Sequence, residues 1–238
     1  MGSRSVGTDT ETSDTDYMEV VLGGEDVYLG MDWWGNQGTK ELKVTDTDDK
    51  VVETTSYELT KFLRLCQGFN PNVIPLLWLS PKHYEVLTPA GQLLVDNRRL
   101  FNSKVAVDSF CGYAYNQLKK MGLEGAATGR MGAARKDLRE RYQYDVKYFY
   151  HCVRLSRMLI EFLESDGRAL NVYRKHIDAE ELLAIRNGKY TYNEATQVAA
   201  ELLAQAHKLA ETSPLPNAPD KRAIRELCKE ILREHLQI

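Results

Sequence analysis

The apolar period of this chain changes near Ser56, and that change sets what the chain can fold into. Before it, β-prone residues come in short runs at 17–22, 27–31, 41–44 and 50–54. Gly23 and Gly24, the Gly35 to Gly38 stretch and the acidic turn from Asp46 to Asp49 separate them, as turns separate strands. After it, "SYELTKFLRLCQGFNP" sets Leu59, Phe62, Leu63 and Cys66 on one helical face, with Ser56 as the expected cap and Gly68 and Pro71 as the stop. The spacing predicts further helices over "PAGQLLVDNRRLF", over "SKVAVDSFCGYAYNQLKKMG" ending at Gly122, and over 135–164, 178–186, 193–211 and 220–236. "NVIPLLWLS" reads as a buried connector kept short by Pro75 and Pro81, and "GLEGAATGRMGA", with Gly122, Gly125, Gly129 and Gly132, reads as a linker or a moving loop. The expected fold class is α+β: a small mixed β-sheet core over 1–100, followed by a mostly helical domain over 101–238.

At 238 residues the chain can bury a substantial core without staples. Cys66, Cys111, Cys152 and Cys228 form no C-x-x-C pair and no Cys/His cluster, so neither zinc nor a disulfide framework is indicated and reduced thiols are expected. No apolar stretch is long enough to span a bilayer and no signal pattern opens the chain, which points away from membranes and towards the cytoplasm. The net charge of −3 conceals an asymmetry. Residues 1–60 hold 14 acidic and 4 basic side chains, whereas 98–157 hold 13 basic and 5 acidic ones. Solvated faces of different helices would produce the same asymmetry, but acids beside bases also suit metal ions and phosphates together.

The opening, "MGSRSVGTDTETSDTDYMEVV", carries the chemistry. In an extended strand, Asp14 and Asp16 project to one side. Two hard oxygen ligands there suit Mg²⁺, or Mn²⁺, which takes few carboxylates and completes its shell with water and substrate phosphates. Gly2 permits close backbone approach, and Ser3 with neighbouring backbone N–H groups offers hydrogen bonds to a triphosphate tail. Glu53, at the end of a later strand, is the candidate third metal ligand and catalytic carboxylate. Asp46, Asp48 and Asp49 read as solvated turn residues.

These residues resemble a known pattern. "GSRSVGTDTETSDTDYMEV" is similar to the G-S-x-x-x-G…S-D-x-D signature of the DNA polymerase β nucleotidyltransferase superfamily, in particular its RNA-ligase-associated and bacteriophage-type branch. "YELTKFLRLCQGFNPNVIPLLW", "NRRLFNSKVAVDSFCGYAYNQLKK", "YDVKYFYHCVRLSRMLIEFLESDG", "LLAIRNGKYTYNEATQVAAELL" and "SPLPNAPD" follow in matching order, so the resemblance covers nearly the whole chain. It implies Gly2 and Ser3 at the triphosphate, with Arg4 beside them as a further nucleotide-binding candidate, and Asp14 and Asp16 on the metals. Glu53 stands where the family usually has an aspartate, and the family's usual first helix and strand start are not found ahead of the Gly-Ser turn.

Two helices add candidates. Lys147, His151 and Arg154, at i, i+4 and i+7, share a helix face that could clasp a triphosphate or an RNA backbone. Ser109, Tyr113 and Gln117 line up at i, i+4 and i+8, where Tyr113 could stack on a base. Either stripe would also arise on an amphipathic helix with a solvated face. The expected activity is Mg²⁺-dependent transfer of a nucleoside monophosphate from an NTP to a hydroxyl acceptor, with RNA the leading acceptor. AMP transfer to a protein, and an inactive nucleotide- or RNA-binding module, are the alternatives.

Overall fold

A computed structural model describes residues 2–11, 13–30, 32–45, 51–122 and 139–237. Its elements in chain order are α1 (Ser3–Val6), β1 (Thr15–Val21), α2 (Glu25–Tyr28), β2 (Thr39–Thr45), β3 (Val51–Glu58), α3 (Leu59–Gln67), α4 (Pro89–Asp96), α5 (Val105–Met121), α6 (Val146–Glu164), α7 (Ala179–Arg186), α8 (Tyr192–Thr212) and α9 (Lys221–Leu236). The fold is α+β, a three-stranded mixed sheet followed by a mostly helical remainder. The chain divides into two units: Met1–Ser103 with Pro216–Ile238, and Lys104–Leu215. Among the described residues, no helix is long and apolar enough to cross a membrane.

In the first unit the sheet order is β1-β3-β2, with β1 parallel and β2 antiparallel to the central β3. The helix expected after Ser56 is present, but β3 runs two residues further and Glu58 is its cap. The Glu58 carboxylate accepts the Thr60 N–H at 2.8 Å and the Lys61 N–H at 3.1 Å. Ser56 instead donates its hydroxyl across the sheet to Glu19 at 2.5 Å. Leu59, Phe62, Leu63 and Cys66 are buried as their spacing predicts.

Of the strand expected at 27–31, residues 27–30 are described and do not form one. Gly24 caps a turn of helix whose first residues are Glu25 and Asp26, acids that suit a helix start. Tyr28 then folds back, its hydroxyl accepting the Gly23 N–H at 3.0 Å and donating to Glu58 at 2.8 Å. "NVIPLLWLS" contains a 3-10 turn, Ile74–Trp78, and "PAGQLLVDNRRLF" divides into α4 and a second 3-10 turn, Arg98–Phe101.

Helix α9 completes this unit from the far end of the sequence. It packs on α3 and α4 and buries Ile224, Leu227 and Ile231. Two polar ties fasten it: the Asp220 N–H donates to the Leu100 carbonyl at 3.1 Å, and His235 Nε2 donates to the Gly23 carbonyl at 2.9 Å.

In the second unit α6 packs against α5, α7 and α8. Phe149, Cys152, Val153, Leu155, Met158 and Phe162 fill its buried side. The continuous helix expected over 135–164 is interrupted where it is described: Gln143 takes a φ of 63°, and the Asp145 carboxylate accepts the Lys147 and Tyr148 N–H groups to start α6 afresh. Residues 135–138 and Gly125, Gly129 and Gly132 of the expected linker lie outside the described residues. A capping box, Thr191 with Glu194, starts α8.

Beneath α6 lies an ion network. Arg174 spans both oxygens of Glu161, each at 2.8 Å, and both of Asp178, at 2.7 and 2.8 Å. Arg157 reaches Asp178 and Glu181, each at 2.8 Å. Burial opposes ionisation of Asp178, but the Arg174 and Arg157 guanidiniums outweigh it and hold the carboxyl below its usual range.

Candidate active site

In the sheet the acids stand in a row. Asp16 on β1 is the register partner of Glu53 on β3, and Glu53 is the partner of Lys43 on β2. Register partners share a face, so Asp16, Glu53 and Lys43 stand side by side across three strands at the usual strand spacing of about 4.8 Å. Asp14 sits one residue ahead of β1 rather than within it. It lies near enough to act on Lys43 together with Asp16. Asp14 and Asp16 are exposed.

Lys43 donates to Glu53, and this carboxylate is the main reason the Lys43 ammonium is held above its ordinary pKa. Sequence reading did not single out Lys43. Its signal was the antiparallel pairing itself: "ELKV" and "VVET" lie on either side of the acidic stretch, and positions 43 and 53 face one another.

Gly2 backs this row. A Cβ built on Gly2 would lie 2.2 Å from Oδ2 of Asp16, so any side chain there would displace the Asp16 carboxylate. Ser3 opens α1, and its carbonyl accepts the N–H groups of Gly7 at 2.9 Å and Thr8 at 3.1 Å. The tight turn from Gly2 to Gly7, closed by Gly7 at a φ of 78°, holds the Gly-Ser segment against the Asp16 side chain. Arg4 is exposed at this turn.

The remaining candidates lie in the second unit. On α5, Ser109 and Tyr113 are half-buried and Gln117 is buried; on α6, Lys147 is exposed, His151 half-buried and Arg154 buried. Tyr113 and Arg154 are close enough to interact across the α5–α6 seam. The α6 stripe is therefore graded from solvent into the core rather than uniformly exposed.

All four cysteines are free. Burial pushes the Cys66 thiol well up, Cys111 to about 11 and Cys152 to about 12, so these three are not thiolates at neutral pH. Among the described residues, no three His, Cys, Asp or Glu side chains are arranged as a metal-holding group. The donor chemistry of Asp14 and Asp16 nevertheless suits Mg²⁺, which needs only one or two carboxylates beside substrate phosphates. Glu53 is engaged by Lys43 instead.

A small mixed sheet with paired aspartates at the head of one strand and a Gly-Ser turn folded against them is the frame of a polymerase β-type nucleotidyltransferase. The family model described as "RlaP: RNA repair pathway DNA polymerase beta family" matches residues 1–230, and the chain belongs to that family. Membership implies nucleotidyltransferase activity within RNA repair, with nucleotide and RNA as substrates. No curated protein and no solved structure matches the chain.

Proposed function

We propose that this protein transfers a nucleoside monophosphate from an NTP to a hydroxyl of RNA, with Asp14 and Asp16 as the metal-holding carboxylates. The acceptor oxygen forms a bond to the α-phosphorus as the bond from that phosphorus to the bridging oxygen breaks; pyrophosphate leaves and the hydroxyl loses its proton. Mg²⁺ or Mn²⁺, when bound by the aspartates, supplies charge neutralisation at the triphosphate and polarisation of the hydroxyl. Gly2 and Ser3 keep the triphosphate close to the strand, with Arg4 as a flexible cation at its edge. Lys43 balances Glu53 until a ligand cation competes for that carboxylate. Ser109, Tyr113, Gln117, Lys147, His151 and Arg154 are the nucleotide- or RNA-contacting residues of the helical unit.

The single observation that supports this reading best is the alignment of Asp16 and Glu53 on adjoining strands with Gly2 against Asp16. The test incubates the protein with each α-labelled NTP, Mg²⁺ or Mn²⁺ and cellular RNA, then separates labelled RNA from labelled protein. Label on RNA is the expected result. Label on protein would instead assign AMP-type transfer to a side chain, and binding of NTP without transfer would assign a binding module.

Gly2 provides a sharper check on geometry. Gly2→Ala is expected to leave the melting temperature close to that of the wild type while lowering transfer by about tenfold to a hundredfold, because a shift of about 1 Å in a reacting-site group has effects of that order. Steady-state rates beside thermal melts measure both.

A further inference from the structure

We propose that Arg154 is the centre of a phosphate subsite in the helical unit, one that takes a phosphate group of the substrate without a metal ion. The proposal rests on the reading above, in which the substrates are nucleotide and RNA, and adds a place where one of their phosphates sits.

Arg154, Arg157 and Arg174 pack in or under α6. Arg174 and Arg157 share Glu161, Asp178 and Glu181. Arg154, one turn before Arg157, is only 5 % exposed and among the described residues has no carboxylate partner. Its Nε is buried without a hydrogen-bond partner, and its Nη1 points at the Met158 sulfur at 3.7 Å, a weak acceptor. The titratable groups acting on it are Tyr150, Tyr113 and Arg174, the last of like charge, and burial presses its pKa down.

Five acids of this unit are already committed. Asp145 caps α6, Glu194 closes the box of α8, and the other three serve Arg157 and Arg174. A guanidinium that is buried and uncompensated is unfavourable for the fold alone. Its planar fork is, however, matched to the oxygens of a phosphate, which would bring the missing charge and the missing acceptors together. Lys147 and His151 lie on the same face of α6, exposed and half-buried in turn, and lead from solvent towards Arg154. Tyr113 faces Arg154 from α5 and offers a hydroxyl to the same ligand.

The test uses Asp14→Ala/Asp16→Ala protein in EDTA, so that neither metal nor transfer contributes. Its melting temperature is followed against ATP, inorganic tripolyphosphate and a 5′-phosphorylated RNA oligonucleotide, with sodium chloride at matched ionic strength as the control. The expected result is a rise of about 5–10 °C at roughly a hundredfold excess over Kd with at least one phosphate ligand. A response to ATP and tripolyphosphate assigns the subsite to a triphosphate tail; a response to the oligonucleotide assigns it to an RNA phosphate.

In the same background, Arg154→Met is expected to melt at or above its parent without ligand and to lose the ligand response. Arg154→Lys, which keeps charge but not the fork, is expected to weaken binding by about tenfold. An Arg154→Met protein that melts well below its parent or fails to fold would show that the arginine serves a structural partner, and would overturn the proposal. So would ligand responses that survive in Arg154→Met, or that sodium chloride reproduces. Because the assay contains no transfer step, phosphate binding can stand if nucleotidyl transfer fails, and can fall if transfer succeeds.

Discussion

Asp16→Asn is expected to reduce nucleotidyl transfer by more than about a hundredfold while leaving the fold intact. The expected size follows from the metal-holding role proposed for it: groups that only orient a metal ligand already cost about 10–100-fold when removed, and a direct ligand costs more. The fold is spared because Asp16 is exposed on an edge strand and supports no buried partner. Asp14→Asn is expected to follow the same pattern. Glu53→Gln separates two roles. A loss as deep as that of Asp16→Asn would place Glu53 on the metal during the reaction; activity near that of the wild type would leave it as the partner of Lys43. Its stability is expected to change little in either case, since both members of that pair are solvent-exposed. Single-turnover rates and melts on the three variants measure these effects.

Arg174→Met is expected to destabilise the helical unit by about 3 kcal/mol or more, the usual result of removing one partner from a buried ion pair. Arg174 is fully buried, and its loss leaves Glu161 with only the neutral Asn171 amide and Asp178 with Arg157 as its remaining cation. For a chain of this size that corresponds to a fall of about 6–12 °C in melting temperature. The acid dependence carries the same signature. Burial disfavours the charged forms of Asp178 and Glu181, yet their hydrogen-bonded partners hold both carboxyls below their unfolded values. Their stabilisation is therefore present above the ordinary carboxylate range, near pH 4, and is lost as pH falls through the depressed folded values. Wild-type protein is expected to melt at a nearly constant temperature from neutrality to about pH 5 and to lose stability below about pH 4, and Arg174→Met is expected to show a shallower loss. Thermal melts across that range check both parts. Arg154→Met and Arg174→Met thus make a pair: two buried arginines, similar substitutions and opposite expected signs.

Much of this architecture is legible in the residues themselves. The 3.6-residue period of Leu59, Phe62, Leu63 and Cys66 becomes a buried helix face, and the strand runs around Asp16 and Glu53 become adjoining strands. Local patterns failed where a distant side chain intervened. The run at 27–31 is apolar enough for a strand, but Tyr28 is drawn to Glu58, thirty positions away. Ser56 has the chemistry of a cap and is taken instead by Glu19 across the sheet, which passes capping to Glu58. The period of α6 placed Lys147, His151 and Arg154 together, but period alone does not say how deep each end of a stripe lies. The burial of Arg154 depends on the packing of α5 and α6 and has no signal in either segment alone. The carboxylate row likewise needed Lys43, whose pairing exists only once β2 and β3 meet.

The return of α9 to the sheet-bearing unit has a consequence for how the molecule is made. A ribosome delivers the Gly-Ser turn and both aspartates well before α9, and α3 receives α9 only after residues 104–215 have been synthesised. Contacts between segments so far apart in sequence form late and slowly. The sheet-bearing half therefore waits, unfinished, while the helical half, whose residues are contiguous, can fold as a unit. A chain interrupted before Ile224, Leu227 and Ile231 leaves the sheet-bearing unit without its closing helix, and so without the apolar cover of α3 and α4.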